Sequence, residues 1–499
     1  MNYSLIAKYL GKLCLALAVL MAVPAAWAVY FAEWRALEAC MATAVASGIL
    51  GGLLLLAGRR ATDAMFEREA LALVGMGWLL ATIIGAGPFI GVGVLNPLDA
   101  WFESVSGFTT TGSTVIADIE ATAKSILFWR SFTHFLGGMG IVVIFIAVLP
   151  YLGAGGRQLL RSESSAPDLR SLRPRIRDTA SILFKVYVTL TLIQAVLLML
   201  AGMSLYDALC HAFGTLASGG FSPRQASIGA FHSLPIELIT IVFMLAAGTN
   251  FGLFFALFRG DFRALFRSTE WRVYIGIWVV GVLLITANVL GFHGQPDFDP
   301  TASVTTQAEP QYALGPALRA VAFTVASLMT DTGFTTQDYD LWPHFSRWAL
   351  VILMVMGGCA GSTSGGLKII RIVILAKMLY WRLESMFRPR TVRAVRVNDE
   401  IVDDGAQRAV YAYFALYTCV FAIASLLMCL VGLPLVTALS SVAATINGCG
   451  PGLEFVGGAE DYHLVPAAGK MVLCVCMLMG RLEIYTIAVL FLPSFWRHS

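Results

Sequence analysis

Thr109-Thr110-Thr111-Gly112-Ser113-Thr114 follows a short, semi-apolar segment, and three other stretches stand in the same setting. They are Leu216-Ala217-Ser218-Gly219-Gly220-Phe221, Thr330-Asp331-Thr332-Gly333-Phe334-Thr335 and Asn447-Gly448-Cys449-Gly450-Pro451-Gly452. Aligning Gly112, Gly219, Gly333 and Gly450 spaces the knots roughly 110 residues apart, a longer period than solenoid repeats have. One Gly/Thr knot is an ordinary loop. Four in the same place relative to long apolar segments are a repeat, and each unit reads as span, short helix, knot, span. Units built from lipid-length segments do not close into separate compact domains, but they can surround one axis.

The flanking segments are membrane material. Of 499 residues, 58% are hydrophobic and 13% charged, with a mean hydropathy of +0.76; a soluble domain is roughly a quarter charged. Segments near the ~20 apolar residues that a span needs are expected at 13–30, 36–57, 71–94, 126–149, 182–203, 236–258, 274–291, 348–379, 410–431 and 470–492. Lys8 and Lys12 ahead of the first, and Ala26-Trp27-Ala28 at its end, mimic a secretory signal. With so many later spans it reads as an uncleaved first helix. The net charge of +3 gives no case for nucleic acid as a partner, and the nine cysteines show neither zinc-type nor paired-disulfide spacing. An all-α integral membrane protein in contact with lipid is expected. Two extra spans (1–68) precede four pseudo-symmetric repeats at 69–155, 156–262, 263–398 and 399–499 around a central ion pore.

Basic residues set the orientation. Arg157, Arg161, Arg170, Arg173, Arg175 and Arg177 share one loop, Arg259, Arg263, Arg267 and Arg272 another, and Arg382, Arg388, Arg390, Arg393 and Arg396 a third. The positive-inside rule places these loops in the cytoplasm, together with Lys8, Lys12 and Arg497, so both termini are cytoplasmic and the knots face outward. The short segments carry helix-start signals: Pro97 and Asp99, Asp207, Pro316 and Pro434. At about ten residues they are too short to cross a bilayer and read as re-entrant. Irregular backbone at membrane depth survives only when buried in protein or lining water. Glycine permits positive φ without a Cβ penalty, so successive carbonyls can turn to one axis and replace a cation's hydration shell. The helix C-termini supply partial negative charge, and oxygen dipoles suit a monovalent ion, whereas magnesium and calcium prefer carboxylates.

Phe108-Thr109-Thr110-Thr111-Gly112-Ser113-Thr114, Phe135-Leu136-Gly137-Gly138-Met139-Gly140-Ile141, Gly357-Gly358-Cys359-Ala360-Gly361-Ser362-Thr363-Ser364-Gly365-Gly366-Leu367-Lys368 and Met479-Gly480-Arg481-Leu482-Glu483 resemble the TrkH/KtrB superfamily of potassium transport subunits. The likeness covers nearly the whole chain, and the extra N-terminal pair of spans favours the TrkH type. The resemblance implies potassium as the transported ion, with no organic cofactor. It also implies a homodimer in a bacterial inner membrane, and a cytosolic TrkA-like nucleotide-binding regulatory subunit. It places the filter on Thr110, Thr111 and Gly112; Ala217, Ser218 and Gly219; Asp331, Thr332 and Gly333; and Gly448, Cys449 and Gly450. The second loop departs from the pattern, with Ala217-Ser218 where threonine is expected.

Segment 348–379 is too long for one crossing and is interrupted at 357–366, so Gly357, Gly358, Gly361, Ser362, Thr363, Ser364, Gly365 and Gly366 are expected to form a movable intramembrane gate beneath the filter. The alternative is a Gly-rich packing kink. Arg481 lies inside the last apolar run, where a charge costs ~2.5–3.5 kcal/mol on insertion scales. The family places the matching arginine near the gate loop, so Arg481 is expected to bond that loop and raise a positive barrier; an ion pair with Glu483 is the rival. Lys368 either contacts the loop or snorkels. His134, His211 and Asn250 read as bonded interior groups. No nucleophile elbow or metal-protease pattern accompanies them, so an enzyme is not expected. A carrier would show paired broken helices with midplane charges, whereas one break is evident in the sequence. A sodium-permeable or cation-coupled member of the same superfamily is the nearest alternative.

Overall fold

Proline and a capping side chain start the first short helix. Asn96 accepts hydrogen bonds from the backbone N–H groups of Leu98 and Asp99, and Pro97 occupies the first turn, where it gives up no needed donor. Ser204 caps the second through the Asp207 N–H, and Ala313 and Pro434 stand at the starts of the other two. The resulting helices, Pro97–Phe108, Leu205–Leu216, Leu314–Met329 and Leu435–Asn447, have 12, 12, 16 and 13 residues. They are somewhat longer than the ten expected, yet all fall short of a span.

The computed structural model describes residues 1–61, 67–148, 176–291, 313–388, 394–398 and 400–496. Of the basic residues that set the expected orientation, Arg157, Arg161, Arg170, Arg173, Arg175, Arg390, Arg393 and Arg497 lie outside the described residues. Six described helical stretches are long and apolar enough to cross a membrane: Tyr3–Tyr30, Trp34–Ala57, Arg68–Val92, Ser181–Leu200, Thr269–Gly291 and Asp404–Leu430. The first two form a hairpin whose backbones nearly touch. A Cβ on Gly11 would stand 2.9 Å from the Gly51 carbonyl oxygen, and the Ser47 hydroxyl donates to the Cys14 carbonyl at 2.8 Å. Small residues permit such approach where lipid supplies no hydrophobic drive.

The chain then runs four times through long helix, short helix, irregular loop and second helix. The long helices, beginning with Glu67–Gly85, Ile176–Leu200, Thr269–Gly291 and Asp404–Leu430, each precede one short helix. The second helices correct the expectation of a single break. Lys124–Val148 is continuous, but Leu234–Ala247 and Phe251–Phe258 meet at 103°. His344–Met356 and Ile369–Phe387 are separated by the glycine loop, and Ala467–Arg481 stops before Ile484–Leu490. Asn250 explains the bend in the second repeat: its side chain accepts from the Gly252 N–H and starts a new helix inside an apolar run. In the fourth repeat, Glu483 takes φ +60° at the interruption. A two-residue hairpin, Arg396–Val397 with Glu400–Ile401, is the sheet among the described residues.

Candidate functional site

The four loops share one backbone trajectory. Just past each short helix a residue enters the left-handed region: Thr110 (φ +53°), Ser218 (+55°), Asp331 (+57°) and Gly448 (+79°). The next N–H in each loop reaches back to the short helix: Thr111 to the Ser106 carbonyl, Gly219 to Gly214, Thr332 to Ser327 and Cys449 to Ala444, at 2.9, 2.7, 2.9 and 2.8 Å. These bonds fix the register and revise one expectation. The counterpart of Gly112, Gly333 and Gly450 in the second loop is Gly220, not Gly219, which stands with Thr111, Thr332 and Cys449. Ala217 accordingly matches Thr109 and Thr330. In loops one and three, Thr109 and Thr111, and Thr330 and Thr332, set their hydroxyls 2.8 Å apart; loops two and four have no such pair.

The loops close on one another in cyclic order. A Cβ on Gly112 would lie 1.9 Å from the Gly219 carbonyl oxygen, and one on Gly220 would lie 1.9 Å from that of Thr332. One on Gly333 would meet the Gly450 nitrogen at 3.2 Å, and one on Gly450 the Gly112 oxygen at 2.8 Å. Each glycine is therefore the contact between one repeat and the next. The fourth-to-first junction is pinned further: Ser113 Oγ and Tyr462 Oη donate to the Gly450 carbonyl at 3.1 and 2.9 Å, and the Tyr462 N–H donates to Thr114.

The other carbonyls of these loops are unemployed. Those of Thr110, Thr111 and Gly112, of Ser218, Gly219 and Gly220, of Asp331, Thr332 and Gly333, and of Gly448 and Cys449 accept no hydrogen bond from a described residue. The residues carrying them are buried or half-buried. Interior backbone groups are otherwise almost always paired, so four aligned rows of unpaired oxygens at the centre of a protein are a place for something that accepts oxygen ligands.

Directly against the helix ends of this ring lies the glycine loop. Gly357, Gly361 and Gly366 take positive φ, as does Lys368 at its exit. Thr363 Oγ1 donates to the Leu216 carbonyl at 2.8 Å and stands 3.0 Å from Ser218 Oγ. Ser364 Oγ reaches the Thr330 carbonyl at 2.9 Å, and the Gly366 N–H donates to Asn447 at 3.1 Å. The loop thus touches the ends of three short helices. Its own shape is held from outside: the Cys359 N–H donates to Gly248, the Phe251 N–H to Gly361, and the Ala360 N–H to Glu270 Oε1. Gly358 and Gly365 pack against backbone, and a Cβ on Gly365 would stand 1.8 Å from the Asn447 oxygen. Ser362 donates within the loop, to Cys359.

Arg481, 9% exposed, donates to the Thr363 carbonyl at 2.7 Å and reaches Gly137 in the first repeat at 3.4 Å. Its guanidinium therefore ties the glycine loop to the remaining quadrant. Glu483 is not its partner; it pairs at 2.8 Å with Arg371, which follows the loop. Lys368 Nζ turns back to the Ser364 carbonyl.

The family model described as TrkH, cation transport protein, matches residues 37–498. The chain belongs to the TrkH family. The Trk system potassium uptake protein TrkH of Halomonas elongata is 36% identical over the whole length of both chains, and that of Salmonella typhimurium 38% over 90% of each. The crystal structure of the potassium transporter TrkH from Vibrio parahaemolyticus superposes with a TM-score of 0.88 and 34% identity, covering all of both chains. This TrkH-family chain is a multi-pass membrane transport protein and not an enzyme.

Sequence reasoning missed what stands behind the ring. Glu103, on the first short helix, pairs with Arg130 of the following helix, and both are buried. Glu103 accepts from Thr114 Oγ1 at 3.0 Å and from the Val115 N–H at 2.9 Å, holding the exit of loop one. Arg130 donates to the Ser222 carbonyl at 3.0 Å and lies 3.6 Å from the Phe221 ring centre, holding the exit of loop two. Acid and base are 27 positions apart, and only the repeat's hairpin form signals that they could meet. His211 uses both ring nitrogens, with the Asp207 carbonyl and Ser222 Oγ. His134 accepts the Phe221 N–H and lies against Gly219.

Proposed function

We propose that this protein takes up potassium through the centre of the four-loop ring, in a bacterial inner membrane, with both termini in the cytoplasm. The observation that carries this reading is the row of unpaired, interior loop carbonyls on four repeats that close into a cycle. Such oxygens substitute for the hydration shell of a monovalent cation. Thr110, Thr111, Gly112, Ser218, Gly219, Gly220, Asp331, Thr332, Gly333, Gly448 and Cys449 supply them. Ala217 acts as a spacer ahead of the second row, and the Gly450 carbonyl serves the junction between repeats. The relatives from Halomonas elongata and Salmonella typhimurium are potassium uptake proteins of the Trk system, which supports the same cargo.

The glycine loop is the gate in this reading. It bonds to carbonyls at three helix ends, so its displacement exchanges those bonds for water and opens the path. Arg481 adds a positive charge on the inner side of the ring and holds the loop through Thr363. Opening is controlled by a cytosolic TrkA-like nucleotide-binding subunit, and the working unit is a homodimer. The test is a reversal-potential measurement on the purified full chain in planar bilayers under opposed potassium and sodium gradients. A potential that follows potassium supports the reading. One that follows sodium, or shifts with the proton gradient, replaces it with a sodium-permeable or coupled transporter.

A further inference from the structure

The left-handed position of the four loops, at the gate-facing edge of the ring, carries side chains that are not alike. Gly448 has none, and the Ser218 hydroxyl is engaged by Thr363. Thr110 Oγ1 and Asp331 Oδ1, by contrast, are buried and without a hydrogen-bond partner. The cyclic order of the loops puts the first and third across the axis from each other, so the two residues that carry these oxygens hold matching backbone positions on opposite sides of the ring. Asp331 is fully buried; its other oxygen lies 2.8 Å from Ser364 Oγ, whose single hydroxyl proton is shared with the Thr330 carbonyl 2.9 Å away, and the Gly365 N–H also faces the carboxyl. No ion pair holds it among the described residues. Lys368 and Arg481 lie near enough to act on it through charge, but their hydrogen bonds go to the Ser364 and Thr363 carbonyls, so neither fills the free oxygen. A buried carboxylate with an unfilled oxygen calls for positive charge.

We propose that Thr110 Oγ1 and Asp331 Oδ1 form an inner cation site between the carbonyl ring and the glycine loop, and that a divalent cation of potassium size binds there more tightly than potassium. The proposal rests on the reading of the four loops as an ion path and adds to it a site made by side chains. A carboxylate oxygen attracts a doubly charged ion more strongly than carbonyl dipoles do, so potassium passes while the divalent ion lodges and blocks. The empty quadrant at Gly448 leaves room for a water ligand. Ser364 links occupancy to the gate, because the same carboxylate that holds the ion shares its hydroxyl proton.

Barium is the probe, applied to the full chain in liposomes while potassium-driven rubidium uptake is followed. The wild type is expected to be blocked, with the half-blocking barium concentration rising as potassium is raised. In Asp331→Asn it should rise at least tenfold. Asp331→Thr, which copies loop one, should behave the same way. Should either variant lack measurable uptake, barium-dependent thermal stabilisation of the purified protein, competed by potassium, gives the same comparison. Equal barium sensitivity in wild type and variants overturns the site, as does a wild type that barium neither blocks nor stabilises. The potassium-over-sodium preference of the wild type in the same vesicles reports separately on the four-loop path. Preference without a carboxylate-dependent barium effect refutes the inner site alone.

Discussion

Replacing Gly220 by alanine attacks the ring at the position the structure, rather than the alignment of glycines, identifies. Gly220 has φ +76°, and a Cβ there would stand 1.9 Å from the Thr332 carbonyl oxygen. Left-handed backbone costs an L-residue ~1–2 kcal/mol. Forcing a methyl group into a filled interior costs ~1–3 kcal/mol more. The obstacle is backbone and not a flexible side-chain tip, so relief requires loops two and three to move apart by on the order of 1 Å, given that such clashes relax through backbone shifts. About 1.4 kcal/mol of that strain appearing as lost ion discrimination is a tenfold change. We expect the potassium-to-sodium permeability ratio, from reversal potentials in planar bilayers, to fall tenfold or more. Gly276→Ala is the control, since nothing lies within 4 Å of its added Cβ. A Gly220→Ala protein, present at normal levels and with an unchanged ratio, would refute the ring.

Three further outcomes follow from the same contacts. Arg481→Ala removes the charge and the bond to Thr363, and resting potassium flux should rise about tenfold, a barrier change near 1.4 kcal/mol; flux at or below wild type, at equal protein in the membrane, rejects the barrier. Glu103→Gln breaks a buried ion pair and leaves Arg130 uncompensated, at a cost of ~3–5 kcal/mol, and should lower the melting temperature in detergent; an unchanged transition would show the pair is incidental. Burial pushes the carboxyl of Asp340, in the connection after loop three, up to about 6 from 3.8. The folded state therefore holds the proton to higher pH than the unfolded state, so its contribution to stability is fully present below the lower value and is lost as pH rises through about 6. Thermal unfolding of Asp340→Asn should show a flatter decline across that window, and an identical pH profile would contradict the assignment.

The sequence made the four units legible because proline, capping residues and glycines sit at the same point of each. Pro97, Asp207, Pro316 and Pro434 all fall at or near the starts of the short helices. Loop two was ambiguous for a physical reason: Gly219 and Gly220 are adjacent, and either satisfies a pattern that asks for one glycine. The bond from the Gly219 N–H to Gly214 decides between them. The bend after Ala247 was hidden by the hydrophobicity of 236–258, in which Asn250 reads as one polar interior residue; its role is to cap a helix. The expectation that Arg481 would bond the glycine loop came from the family resemblance, which places the matching arginine near that loop; physics alone adds only that a charge inside an apolar run must find oxygens. Its particular partners, Thr363 and Gly137, come from different repeats and have no local signature.

The most direct measurement is the position of a heavy potassium analogue. Crystals of the purified protein grown in rubidium should show anomalous density on the axis encircled by Gly112, Gly220, Gly333 and Gly450, within reach of the unpaired loop carbonyls. Rubidium density confined to other places, with the ring unoccupied at saturating salt, would contradict the account.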